Sequence, residues 1–223
     1  MRRILSIILC FSLLAFPSAR AEETKYVALT FDDGPSGRFT RRLLQGLDER
    51  DVQATFLLCG YRLKLYPELA QQIFDAGHEI GLHGYSHDNM ARMSYGELVR
   101  EIANTRKLLP YGCKAVFLRP PGGNCTALVS RVAAQEKLAL LLWSVDPRDW
   151  AVHDAAAVEA AVVSQVRDGD VILLHDLSDS SVDAALAIID RLHEEGFVFV
   201  TASRLAQLRG TAIKPGQTYL AFP

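Results

Sequence analysis

The chain of 223 residues has little that would tie it to a redox centre, a nucleic acid or a membrane interior. It carries four cysteines, none in a C-x-x-C arrangement, so neither a thioredoxin-type dithiol nor a cysteine zinc knuckle is indicated. Lysine and arginine form no dense patch, which argues against nucleic acid as a partner. No repeat, low-complexity tract or Pro/Gly/Ser linker divides residues 25–223. Beyond the first residues, no segment is long and apolar enough to span a bilayer. What is present is ordinary globular composition, 49% hydrophobic and 22% charged, at a length that suits one domain.

The first residues are read separately. Met1-Arg2-Arg3 is basic, Ile4 to Phe16 is almost unbroken apolar sequence, and Ala19-Arg20-Ala21 has small residues in an A-x-A pattern. This layout predicts a secretory signal peptide over residues 1–21, followed by a domain over 22–223. The apolar run is too short for a membrane anchor. Export then implies a secreted or cell-envelope protein without a stable membrane anchor. Cleavage removes three arginines and no acid from the 24 basic and 26 acidic residues, moving the formal net charge from −2 to −5. Cys59, Cys113 and Cys125 remain. Cys113 and Cys125 could pair around the Arg119 segment, or all three could be free thiols.

Seven short β-rich runs alternate with segments of helical spacing. The runs are 26–31, 54–58, 78–82, 115–118, 138–145, 171–174 and 197–200. Helices are expected over 39–50, 67–76, 94–109, 127–137, 155–167, 181–195 and 203–208; Ser94 and Glu97 carry a capping-box signature. Strands alternating with helices predict an α/β fold with a parallel sheet. Asp32-Asp33, His83, Arg119, Asp146 and His175 each follow a different run. Ionisable residues at five strand ends favour a (β/α) barrel of about seven strands, whose carboxyl ends converge on one face.

The candidate chemistry lies at those ends. His83 and His87, four residues apart, would reach one point if the segment were a helical turn, and imidazole is a common metal ligand. Asp32-Asp33-Gly34-Pro35 puts two carboxylates on a sharp corner; one could bind a metal while the other acts as a base. His175 ends an apolar strand, where an unpartnered polar group would be costly. Asp146-Pro147-Arg148-Asp149-Trp150 and Arg119-Pro120-Pro121-Gly122-Gly123 add weaker signals.

Taken in order, Thr30–Pro35, His83-x-x-x-His87, Arg119-x-Pro121, Asp146-x-x-Asp149-Trp150 and Leu173-Leu174-His175 resemble the five motifs of the polysaccharide deacetylases with a NodB homology domain, carbohydrate esterase family 4. The resemblance spans about residues 25–208. It implies a distorted (β/α) barrel. It further implies that Asp33, His83 and His87 bind a divalent metal, most often zinc, with cobalt or another divalent ion as an alternative. Asp32 would be the general base and His175 the general acid. Arg119 would orient Asp32, and Asp146 would pair with His175. Pro121, Gly122, Trp150 and Leu173 would bind substrate, a backbone N–H after Pro121 helping to stabilise the oxyanion. The family usually has Ser or Thr where this chain has Gly84, and often an aromatic residue where it has Gly122.

The implied activity is hydrolysis of the N-acetyl amide of amino sugars in an extracellular glycan, with peptidoglycan first. Chitin oligosaccharides, acetylated xylan, a different ester or amide and a catalytically inactive glycan-binding relative are the alternatives. The expected partner is an acetylated polysaccharide; no protein partner is expected.

Overall fold

The computed structural model describes residues 24–223, so the expected signal peptide lies outside the described residues. In chain order the strands are β1 (Lys25–Asp32), β2 (Thr55–Leu58), β3 (Glu79–Leu82), β4 (Phe117–Leu118), β5 (Ala139–Leu141), β6 (Val171–His175), β7 (Phe197–Phe199) and β8 (Thr218–Tyr219). The helices are α1 (Arg38–Asp48), α2 (Gly60–Leu65), α3 (Pro67–Asp75), α4 (Tyr95–Arg106), α5 (Ala127–Gln135), α6 (Asp149–Val152), α7 (Ala155–Val163), α8 (Asp179–Glu194) and α9 (Ala202–Leu208). Among the described residues, no helix is long and apolar enough to cross a membrane.

The strands run in the order β6-β1-β2-β3-β4-β5-β8, with every neighbouring pair parallel. Beyond β5 the chain returns to the far edge. Val145 bridges Ile172, and Leu173 N–H donates to the Val145 carbonyl at 2.9 Å. This contact closes a distorted barrel on the carboxyl side. On the amino side β1 changes neighbours: Lys25–Val27 pair with β7, whereas Ala28–Asp32 pair with β6.

The pleat of β1 sorts the layers. Val27, Leu29 and Phe31 pack outward with Leu43 and Leu47 of α1 and Ile188 and Ile189 of α8. Ala28 faces the other way, toward Leu57, Phe117, Leu141 and Val171. Alternation along the strand therefore sends Thr30 and Asp32 to the barrel interior. Both faces are buried, which explains an apolar run without polar alternation.

Two departures from the expected elements have clear causes. The run 138–145 is not one strand. Arg119 Nε and Nη2 take the Leu141 and Leu142 carbonyls at 2.8 Å each, and the ladder stops there. The two-residue β8 is too short to leave a periodicity in the sequence; Leu142 N–H donates to Tyr219 at 2.8 Å and ties it to β5. The predicted capping box is formed, with Ser94 Oγ accepting from Glu97 N–H and the Glu97 carboxylate accepting from Ser94 N–H.

Candidate active site

Successive residues of a strand point to opposite faces. Asp32 and Asp33 escape this rule because β1 ends between them and Asp33 adopts a left-handed backbone, φ 71°. Aspartate tolerates this region better than most residues. The turn brings both carboxylates to the mouth of the barrel.

There the two diverge. Asp32 Oδ1 accepts from Arg119 Nη1 at 2.6 Å, and the same nitrogen reaches Thr30 Oγ1 at 2.9 Å. Arg119 is wholly buried, held by these contacts and by the Leu141 and Leu142 carbonyls. Asp33 Oδ1 instead lies 3.2 Å from His83 Nε2 and 3.0 Å from His87 Nε2. It is buried, and neither approach has hydrogen-bond geometry, so the oxygen is without a partner. Burial pushes the Asp33 pKa up, but the two imidazoles outweigh it and hold the carboxyl well below the usual range. Asp33 in turn raises the pKa of His87.

His83 is oriented from behind. Its Nδ1 lies 2.7 Å from the Arg119 carbonyl, an acceptor, so Nδ1 carries a proton and Nε2 faces Asp33. A backbone acceptor on the far nitrogen is the usual support for a metal-binding histidine. Residues 83–87 do not form the helical turn that would have brought the two rings together. Gly84 and His87 have φ of 74° and 66°, and the loop folds back by bends. The rings still converge, with centroids 5.2 Å apart. Among the described residues, Asp33, His83 and His87 form the one cluster able to hold a metal ion, their ligand atoms all within 4.8 Å of one another. An unpartnered buried carboxylate oxygen between two imidazole Nε2 atoms is a donor set that zinc, cobalt and similar divalent ions take.

Opposite this cluster, His175 ends β6. Its Nδ1 bonds Asp149 Oδ1 at 2.8 Å, and its backbone N–H donates to Asp149 Oδ2 at 2.9 Å. Burial lowers the His175 pKa, but Asp149, with smaller contributions from Asp32 and Asp33, reverses this and lifts it to about 9. The partner of His175 is therefore Asp149 and not the expected Asp146. Asp146 is exposed and accepts from Arg148 N–H two residues on at 2.9 Å, a turn of its own. That turn delivers Asp149, 1% exposed, into the first position of α6 and under the imidazole.

A cavity of about 540 Å³ opens over these groups. Gly122, Asp146, Trp150 and Leu173 line it, as do Trp143 and Arg148, to which the sequence reading assigned no role. Trp150 stands at the rim, 53% exposed, with the Arg148 guanidinium 5.6 Å from its ring. Pro121, expected to touch substrate, is buried and off the cavity wall, and the neighbouring Gly122 takes that place. Cys59, Cys113 and Cys125 are free thiols, and the Cys113–Cys125 pairing is not formed.

A family profile described as polysaccharide deacetylase matches residues 19–140. This chain belongs to the polysaccharide deacetylase family. The profile match ends before His175. The peptidoglycan-N-acetylmuramic acid deacetylase PdaC of Bacillus subtilis is 35% identical over 187 residues, covering 83% of this chain but 39% of PdaC. A peptidoglycan-N-acetylglucosamine deacetylase of Bacillus cereus is 36% identical over 191 residues, covering 83% of this chain and 90% of that protein. This polysaccharide deacetylase domain therefore spans well under half of one relative and nearly all of the other. Among solved structures, a family 4 acetyl xylan esterase from Clostridium thermocellum, in complex with a cobalt ion, aligns with TM-score 0.84 and 34% identity over 89% of this chain and all of that one.

Proposed function

We propose that the protein is a metal-dependent deacetylase that hydrolyses the N-acetyl amide of amino sugars in extracellular peptidoglycan. One observation carries the reading: the Asp pair is divided, with Asp33 Oδ1 unpartnered between His83 and His87 and Asp32 held by Arg119. This division supports reading one acid as a metal ligand and its neighbour as the base.

Asp33, His83 and His87 would hold the ion, with zinc as the favoured identity. A divalent ion held there would supply Lewis acidity to the acetyl carbonyl and would lower the pKa of the attacking water. Asp32, paired with Arg119, accepts the proton from that water. The Gly122 backbone, left-handed and on the cavity wall, offers its N–H to the developing oxyanion. His175, protonated at neutral pH and fixed by Asp149, gives its proton to the leaving amine. Without that proton the leaving group would be an amide anion, and the intermediate would return to substrate. Leu173 and Trp150 close around the acetyl methyl group.

The peptidoglycan assignment draws on the names of the two bacterial relatives and on the expected export signal. Acetate release from peptidoglycan, chitin oligosaccharides and acetylated xylan, with zinc and after chelation, tests it. Peptidoglycan should be the best substrate, and Asp32→Asn should bind zinc but release no acetate. Preference for xylan or chitin would overturn the substrate, and acetate release unaffected by chelation would overturn the metal.

A further inference from the structure

The loop carrying His87 is held from both sides. Its carbonyls at Gly84 and Tyr85 accept from the Gly60 and Tyr61 N–H groups of α2 at 2.9 and 3.0 Å. Its N–H groups turn toward α4. There Glu97 is committed to the cap, and Glu101, one turn further on, reaches the loop. Glu101 Oε2 accepts from Tyr85 N–H at 2.6 Å, Ser86 N–H at 3.0 Å and Ser86 Oγ at 3.3 Å. Ser86 Oγ then accepts from Asp88 N–H at 3.2 Å. One carboxylate oxygen thus fixes the backbone immediately before His87 and, through Ser86, immediately after it.

His87 needs such a hold. Its φ of 66° is a conformation that side chains bearing a Cβ rarely adopt, so the loop's own preferences do not keep the imidazole aimed at Asp33. Gly84 fits the same arrangement. A Cβ there would lie 3.2 Å from Glu101 Oε2, on a backbone with φ 74°. The glycine lets the carboxylate approach.

We propose that Glu101 is a positioning residue of the metal centre, setting the geometry of His87 and hence metal affinity through the backbone of Tyr85, Ser86 and Asp88. The inference rests on the reading of Asp33, His83 and His87 as metal ligands. Its test is zinc affinity, measured by competition with a chromophoric chelator, together with the absorption spectrum of the cobalt-loaded protein. Glu101→Ala should weaken zinc binding by about 10–100-fold, as expected for loss of a partner behind a ligand, and shift the cobalt bands. Glu101→Gln keeps an acceptor oxygen and should recover most of the loss. Glu97→Ala breaks the cap of the same helix without touching the loop and should bind zinc as wild type does. Ser86→Ala removes the hydroxyl's contacts to Glu101 and Asp88 but leaves the Tyr85 and Ser86 N–H groups on the carboxylate, and should give a smaller loss in a folded protein, which decides the matter if Glu101→Ala does not fold. Wild-type affinity in Glu101→Ala, or in Ser86→Ala should Glu101→Ala not fold, or an equal loss in Glu97→Ala, would overturn the proposal. A wild-type protein that binds no zinc would instead overturn the metal reading beneath it.

Discussion

Arg119 serves Asp32 with its side chain, Nη1 to Oδ1 at 2.6 Å, while its backbone carbonyl fixes the His83 ring at 2.7 Å. One buried residue therefore orients both the candidate base and a candidate ligand, and its remaining donors end β5. Arg119→Lys should show how much depends on the planar fork. An ammonium cannot reach Asp32, Leu141 and Leu142 together, and each buried acceptor left unpaired costs about 1–3 kcal/mol. The expected result is a lower melting temperature and a fall in kcat well beyond any change in KM. Wild-type kcat in this variant would separate Asp32 from Arg119.

The pH profile should show His175 losing its proton. The candidate acid works only when protonated, so kcat/KM should fall as pH rises through about 9. Asp149→Asn removes the charge that raises this pKa and should move the alkaline limb toward neutrality by a unit or more. Asp146→Asn should leave the limb in place, since Asp146 bonds the Arg148 backbone. A shift with Asp146→Asn and none with Asp149→Asn would reverse the pairing.

Away from the site, His78 should make the fold sensitive to acid. It is buried, and its Nδ1 accepts from Ala54 N–H at 3.2 Å, so the ring must be neutral. Burial lowers its pKa to about 4. Between that value and the ordinary 6.5 the unfolded chain binds more protons than the folded one. Stability is thus complete above about pH 6.5 and declines as pH falls toward 4, by an amount on the order of 3 kcal/mol. Denaturant titrations at several pH values check this. In His78→Asn, whose side-chain oxygen can take the same N–H, the decline over this window should shrink. An unchanged slope would assign it to other groups.

The sequence made the skeleton of the site legible because the barrel places it at strand ends. Apolar runs that stop at Asp32, His83, Arg119 and His175 mark the strand ends, and the structure brings Asp32, His83 and His175 to one mouth with Arg119 buried against Asp32. What stayed hidden depends on burial and local backbone. Asp146 and Asp149 sit in one short segment, and only their exposure, open against buried, separates the turn residue from the partner of His175. Spacing suggested a helical turn for His83 and His87, but left-handed backbone at Gly84 and His87 gives the same convergence by another route. Trp143 and Arg148 also line the cavity, beyond the point where Arg119 takes the Leu141 and Leu142 carbonyls from a distant part of the sequence.

Metal should also stabilise the fold. The three ligands come from the end of β1 and the loop after β3, so an ion joins segments that are remote in sequence. A ligand that binds only the native state adds about 2.7 kcal/mol at a free concentration 100 times Kd, which for a domain of this size raises the melting temperature by roughly 5–10 °C. Zinc added to chelator-treated protein should produce such a rise. His83→Ala and His87→Ala should each abolish it, whereas Asp32→Asn should keep it, because Asp32 is committed to Arg119. A full zinc-induced rise in both histidine variants would place the ion elsewhere. Loss of the rise in Asp32→Asn would make Asp32 a ligand and return the two aspartates to equivalent roles.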